Sequence, residues 1–277
     1  MTAAFSRFRR ALASLTGIAL SADKQYLAES RLGPVMRAHG VEDFAQFARM
    51  FENRDTDALV RDAMDAMTTN ETFFFRDRAP FDEFRERVVP ALVGARAREK
   101  RLRIWCAACS TGQEAYSLAM TLDSDSRALR GWSVEILGTD LSRAAIETAR
   151  RGVFSQFEVQ RGLPTSYLLR YFHRHDGDWR VNEHLRARVA FREFNLMSDF
   201  RDLGRFDVVF CRNVLLYFEP ETQRNMLARL AEAMQDDGYL FLGASETAAD
   251  ASPCFTPGTS DGLWRRSAAA RPRLLTA

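Results

Sequence analysis

What the 277-residue chain lacks narrows the field first. No apolar run approaches the ~20 residues that a membrane-spanning helix needs, so no insertion into a membrane is expected. Charge of one sign is not in excess: 39 Lys and Arg face 37 Asp and Glu, and the net charge is +2. That balance, with no groove of interleaved basic and aromatic residues, argues against nucleic acid as a partner. Cysteine is scarce and scattered, as Cys106, Cys109, Cys211 and Cys254. The one C-x-x-C has no second pair and no histidines at ligand spacing, so small-residue packing outweighs a zinc or redox reading. His173 and His175 alternate on one strand face without a third ligand and read as surface residues; no metal is expected. Sparse thiols fit a reducing, cytoplasmic location. The remaining composition, 46% hydrophobic and 27% charged, is that of an ordinary soluble protein with one large domain, or a large and a small one.

Strand signals are missing from residues 1–67, which read as a helical domain. Phe5, Phe8, Leu12 and Leu15 keep helical spacing, which favours an amphipathic helix from about Ala3 to Leu15 over a signal peptide behind Arg7, Arg9 and Arg10. Ser21 is placed to cap a second helix, which Gly33-Pro34 would bend or interrupt. Val41 to Phe51 and Thr56 to Met67 complete the set, with Phe44, Phe47 and Phe51 on one face. Up to Arg37 the charges are mostly basic, and from Glu42 to Asp65 mostly acidic. Such a basic face is either a solvated surface or a dock for an acidic partner.

Residues 68–101 join this unit to the rest. TTNETFFFRDRAP (Thr68 to Pro80) fits no amphipathic period. It is either a linker pinned by Phe73 to Phe75, or a segment whose polar residues line a site. Pro80 then starts a helix that reaches Pro90.

From Leu102 strands and helices alternate, which predicts an α/β domain over 102–277 with a parallel sheet. LRIWCAACSTGQEAY (Leu102 to Tyr116) reads as a buried strand, a turn of small residues and a helix start. That is half of a βαβ ligand site, although a tight packing turn would look similar. Glu114 occupies the position where a nucleotide-phosphate site would hold phosphate, so the ligand expected is a nucleoside without a phosphate chain. Asp140 ends the second strand, where Rossmann-like folds place a ribose acceptor; capping of the next helix is the alternative. Gly152 to about Arg188 breaks the alternation as an inserted subdomain, a helix and then a hairpin around Asp176-Gly177. Strands resume at Val189 to Phe194, Phe206 to Phe210 and Gly238 to Leu242, with a helix from Glu219-Pro220 to Met234. Phe255 and Leu263 to Arg265 close the sheet, and residues after Ser267 read as a disordered tail.

TTNETFFFRD, AACSTGQEAYSLA, GTDLS, FCRNVLLYF and YLFLGASE, in this order, resemble the motifs of the CheR family of chemotaxis receptor methyltransferases. The resemblance spans nearly the whole chain. It implies a helical N-terminal domain, a Rossmann-like domain dependent on S-adenosylmethionine (SAM), and a small β-subdomain inserted after the second sheet helix. It places Asn70, Thr72, Arg76, Glu114 and Asp140 at SAM, Asn195 and Leu196 beside the adenine, and Arg212 and Asn213 near the methionine end. Arg76 and Tyr217 would orient the reacting groups. The implied reaction moves a methyl group to glutamate side chains on the cytoplasmic domain of chemotaxis receptors, leaving S-adenosylhomocysteine (SAH). The acceptor is already an anion at neutral pH, so no general base is expected. Arg31 and Arg37 would be the docking cations. The short inserted loop, RHDGDWR, argues against tethering to a receptor's C-terminal pentapeptide. Methyl transfer to another acceptor, or a SAM-sensing module without turnover, stays open at this point.

Overall fold

The structure is a computed structural model that describes residues 2–124, 128–249 and 254–267. The tail expected after Ser267 lies outside the described residues.

Four helices build the N-terminal unit: α1 (Ala3–Thr16), α2 (Gln25–Ala38), α3 (Phe44–Asn53) and α4 (Asp57–Met67). Local signals set their limits. The side chains of Thr2, Asp43 and Thr56 accept the first free amides of α1, α3 and α4. Gly17, left-handed at φ 78°, ends α1. The apolar faces meet around Phe8, whose ring centre lies 5.0 Å from that of Phe51. Each such buried side chain contributes roughly 1.5–3 kcal/mol. Two expectations fail here. Helix α2 runs unbroken through Pro34, because Gly33 before it has no Cβ to clash with the proline ring. Ser21 caps no α-helix; it precedes a 3-10 turn, and its hydroxyl serves the Asp23 carboxylate instead.

The chain then crosses to the second unit. Phe74 and Phe75 are buried. Phe74 packs edge-on against Phe154 and Phe172, and Phe75 against Phe81 and Tyr167. The following helix is longer than expected. It starts as α5 (Ala79–Glu83), widens into a π-helical turn over Phe84–Val88 and continues as α6 (Val89–Ala95). The widened turn carries it past Pro90, where a regular helix would stop.

The remaining elements are β1 (Arg101–Ala107), α7 (Gln113–Ser124), β2 (Ser133–Asp140), α8 (Arg143–Arg151), β3 (Val153–Phe154), α9 (Gln156–Gln160), α10 (Thr165–Tyr171), β4 (Phe172–His175), β5 (Asp178–Val181), α11 (Glu183–Arg186), β6 (Val189–Glu193), β7 (Phe206–Cys211), α12 (Pro220–Glu232), β8 (Met234–Leu242), β9 (Phe255–Pro257) and β10 (Leu263–Arg266). Seven strands form one sheet in the order β6-β2-β1-β7-β8-β10-β9. The first five run parallel and β10 is antiparallel to its neighbours. Every residue of β7 is buried, as a central parallel strand covered on both faces requires. The chain therefore has a Rossmann-like α/β sheet with an all-helical N-terminal unit. The order reverses at β1, between β2 and β7, and a ligand crevice is expected beyond the carboxyl ends of these strands.

The insertion is richer than a helix and a hairpin. It holds three short helices, α9, α10 and α11, and a three-stranded sheet ordered β3-β5-β4. The expected tight turn joins β4 to β5, with Asp176 at φ 48° and Gly177 at φ 89°. His173 bonds Asn182 Oδ1 through Nδ1 at 2.9 Å. Strand β8 begins at Met234, which the sequence reading gave to the preceding helix; Met234 pairs with Phe206 across the ladder. Among the described residues no helix is long and apolar enough to cross a membrane, and no group of three or more potential metal ligands occurs.

Candidate active site

The turn after β1 is wrapped around the end of β2. Ala108 and Ser110 take left-handed conformations, at φ 62° and 49°. Asp140 holds this shape: its Oδ2 accepts from Ser110 N–H at 2.7 Å, and its Oδ1 from Ser142 N–H at 2.9 Å. Ser142, not Asp140, caps α8, by accepting from Ala145 N–H. Burial pushes the Asp140 carboxyl up from its ordinary value. Gly112 is needed for packing. A Cβ there would stand 2.9 Å from Ala149 Cβ and 3.1 Å from the Phe191 ring. Cys106 and Cys109 are buried and free, and burial raises both thiols well above their ordinary value.

Glu114, in the first turn of α7, has a side chain only 12% exposed. Burial raises its carboxyl, and the Arg212 guanidinium beside it opposes that rise. Arg212 follows β7 and its side chain is 1% exposed. Its Nη1 donates to Glu114 Oε2 at 2.9 Å; its Nη2 donates to Asp77 Oδ2 at 2.7 Å and to the Arg76 carbonyl at 3.1 Å. Its Nε is buried without a partner.

Residues 68–76 form a third wall. Ser110 Oγ donates to the Asn70 carbonyl at 2.8 Å, and Asn70 Nδ2 reaches Ser142 Oγ at 3.4 Å. Arg76 donates to the Glu71 carbonyl at 3.1 Å. Two guanidiniums lie over the Phe73 ring, Arg76 at 5.6 Å and Arg161 at 4.4 Å from its centre. Arg161 also pairs with Glu71 at 2.7 Å, which ties the inserted subdomain to this wall.

The fourth wall comes from the helical unit. Asn195 Nδ2 donates to the Leu15 carbonyl at 2.7 Å, while its Oδ1 accepts from Met197 N–H at 2.9 Å. Ile18 bridges to Phe218, and Ala19 N–H donates to the Tyr217 carbonyl at 2.8 Å.

These walls enclose a cleft of about 910 Å³ counted out to open solvent. Every residue singled out from the sequence faces it: Asn70, Thr72, Arg76, Glu114, Asp140, Asn195, Leu196, Arg212, Asn213 and Tyr217. Thr16 and Ile18 line it too and were missed, since nothing local in the sequence says that the end of α1 reaches the sheet. Also missed were Asp77, the second partner of Arg212, and Glu246, whose carboxylate accepts from the amides of Asn213 and Val214. Arg31, expected on a docking face, is occupied: it donates to the carbonyls of Met67 and Thr68, both at 3.1 Å, and steadies the start of residues 68–76. Arg37 is exposed.

The donor set suits a nucleoside joined to an amino acid. Glu114 could take an ammonium group; Arg76 and the unpartnered Nε of Arg212 could take a carboxylate. Asp140 could accept from ribose hydroxyls, and Leu196 and Phe194 offer apolar surface to a base.

Comparison with known proteins agrees over most of the chain. Residues 70–259 match the family described as CheR methyltransferase, SAM binding domain, and residues 3–68 match CheR methyltransferase, all-alpha domain. Chemotaxis protein methyltransferase 1 of Pseudomonas aeruginosa is 42% identical over 246 residues, covering 87% of this chain and 89% of that protein. Chemotaxis protein methyltransferase Cher2 of Pseudomonas putida is 39% identical over 246 residues, with the same coverage. The chemotaxis protein methyltransferase of Salmonella typhimurium is 34% identical over 247 residues, covering 87% of this chain and 83% of that protein.

Proposed function

The chain belongs to the CheR methyltransferase family, and on that premise we propose that it methylates glutamate side chains of chemotaxis receptors in the cytoplasm, with SAM as methyl donor. The observation that carries this reading is one cleft in which Asp140, Glu114 and Arg212 meet within the region matching the SAM-binding family. SAM, when bound, supplies a methyl group activated by a positively charged sulfur. Glu114, Arg76 and Arg212 would hold its amino-acid end, and Asp140 its ribose. Asn195 and Leu196 would border the adenine, and Asn70, Thr72 and Asn213 the space between.

The acceptor carboxylate, with an ordinary pKa of about 4.3, needs no proton removed. Nucleophile and electrophile lose opposite charges as the methyl moves, so a cation clamped on the acceptor would stabilise the reactant more than the transition state. Arg212 matches that requirement, because Glu114 and Asp77 already neutralise it. The protein's work is then to exclude water and to align, with reacting atoms ~3–3.5 Å apart. Tyr217, at the edge of the cleft, is the orienting group. Receptor docking is assigned to the basic face of the helical unit, with Arg37 among its exposed cations.

Incubation of the full chain with methyl-labelled SAM and receptor-containing membranes tests this reading. Base-labile label on the receptor is expected. Label on another acceptor, or no label, refutes it.

A further inference from the structure

We infer that Glu246 is a positioning residue for the transfer site, holding the loop that carries Asn213 and Tyr217 against the cleft. The inference rests on the methyl-transfer reading above. Glu246 follows β8 and lies outside the cleft lining. Its carboxylate accepts four backbone amides. Oε2 accepts from Asn213 N–H at 2.8 Å and Gly243 N–H at 2.7 Å; Oε1 accepts from Val214 N–H at 2.8 Å and Leu216 N–H at 3.3 Å.

The loop cannot keep this shape unaided. Its strand, β7, ends at Cys211, so the next amides have no ladder partner. Asn213 is left-handed at φ 59°, a conformation uncommon outside glycine that asparagine adopts more readily than most residues. Leu215–Tyr217 is one 3-10 turn, too short to stand alone. Bonds to a charged acceptor are roughly twice as strong as neutral ones, and here four converge on one group. The space is reserved for it. A Cβ at Gly243 would sit 2.8 Å from Glu246 Oε2 and 2.7 Å from Asn213 Nδ2. The outcome is that Asn213 and Tyr217 face the cleft while Leu216, 45% exposed, stands outside it.

Glu246→Gln tests the assignment in the full chain. It keeps the shape but turns one oxygen into a donor facing two N–H groups. Hydrogen exchange of the Asn213, Val214, Leu216 and Gly243 amides should quicken at least about tenfold, with β1 amides unchanged. The receptor methylation kcat should fall on the order of 100-fold, as for reacting groups misplaced by about 1 Å, with KM for receptor within about threefold. Adding Tyr217→Phe should then cost little more, because Tyr217 is already misplaced. Should Glu246→Gln not fold, Gly243→Ala displaces the same carboxylate and is expected to lose kcat likewise. Wild-type turnover in either variant, or a Tyr217→Phe loss that simply adds, overturns the inference. A wild-type chain that methylates no receptor refutes the functional reading instead, and the exchange rates remain a separate test of the Glu246 contacts.

Discussion

Arg212→Met isolates the charge balance at the centre of the cleft. Methionine keeps apolar bulk but removes three hydrogen bonds, to Glu114, Asp77 and the Arg76 carbonyl. The Asp77 contact is worth at most ~1 kcal/mol, because its side chain is 44% exposed and water can replace the guanidinium. Glu114 has no such recourse. Stripping the partner from a buried pair costs about 3–5 kcal/mol, a large part of the 5–15 kcal/mol that typically separates folded from unfolded protein.

The loss should depend on pH. Burial already holds the Glu114 carboxyl above its ordinary value, and Arg212 restrains that rise. A raised folded value means that the folded chain binds the proton more tightly than the unfolded one. Stability from this group is therefore full at acid pH and is lost as pH climbs through the folded value. Without Arg212 the folded value rises further, and the loss extends to higher pH. Urea unfolding at pH 8 should give the full deficit, and unfolding near pH 5 a smaller one. Glu114→Gln in the same background should recover part of it at pH 8. Equal deficits at the two pH values, or a deficit under about 1 kcal/mol at pH 8, would refute the account of Glu114 as a buried anion dependent on Arg212.

Asp140→Ala should lower SAH affinity at least about tenfold by calorimetry, since it removes the candidate ribose acceptor and frees the Ser110 and Ser142 amides; unchanged affinity would end the ribose assignment. Gly17→Ala should lower the melting temperature by several degrees, because the residue is left-handed at φ 78° and its Cβ would meet the Phe218 ring at 2.9 Å. It should also weaken SAH binding, which thermal shift with and without SAH would detect. Arg37→Glu should reduce receptor methylation with SAH affinity intact. Arg31→Glu should in addition lower stability and SAH affinity, through the carbonyls of Met67 and Thr68.

The parts legible in the sequence were those whose cause is local. The helical spacing of Phe5, Phe8, Leu12 and Leu15 and of Phe44, Phe47 and Phe51 marks α1 and α3, and alternating strands and helices imply the parallel sheet. The cleft residues on the strand ends were legible for the same reason, because topology alone brings β1, β2 and β7 together. Proline misled twice. Gly33-Pro34 read as a bend or break and Pro90 as a helix end, but the helices continue, with Gly33 and a π-helical turn beside the prolines. Glu246 and Arg31 were invisible in their actual roles, because most of their partners lie 30 or more residues away and are backbone groups, which carry no side-chain signature. An arginine counted as surface charge can thus be a structural ligand for carbonyls.

The helical unit is part of the cleft rather than an attachment to it. One covalent route and one set of hydrogen-bonded contacts join them. Helix α1 runs directly into Gly17 and Ile18, which lie against Phe218, and Asn195 grips the Leu15 carbonyl just before. Helix α4 runs directly into residues 68–76, with Arg31 of α2 fastening the junction. The basic residues Arg7, Arg9 and Arg10 lie on α1, the helix whose end forms the strap, and Arg37 lies on α2, which supplies the fastener. Both strap and junction end on the wall occupied by Asn70 or on the loop carrying Tyr217. A load applied to the basic face would therefore reach the cleft through packed helices and backbone hydrogen bonds, with no flexible linker between. If the receptor docks on the helical unit as proposed, the wall that unit lends would make the geometry of the cleft depend on how the unit is held.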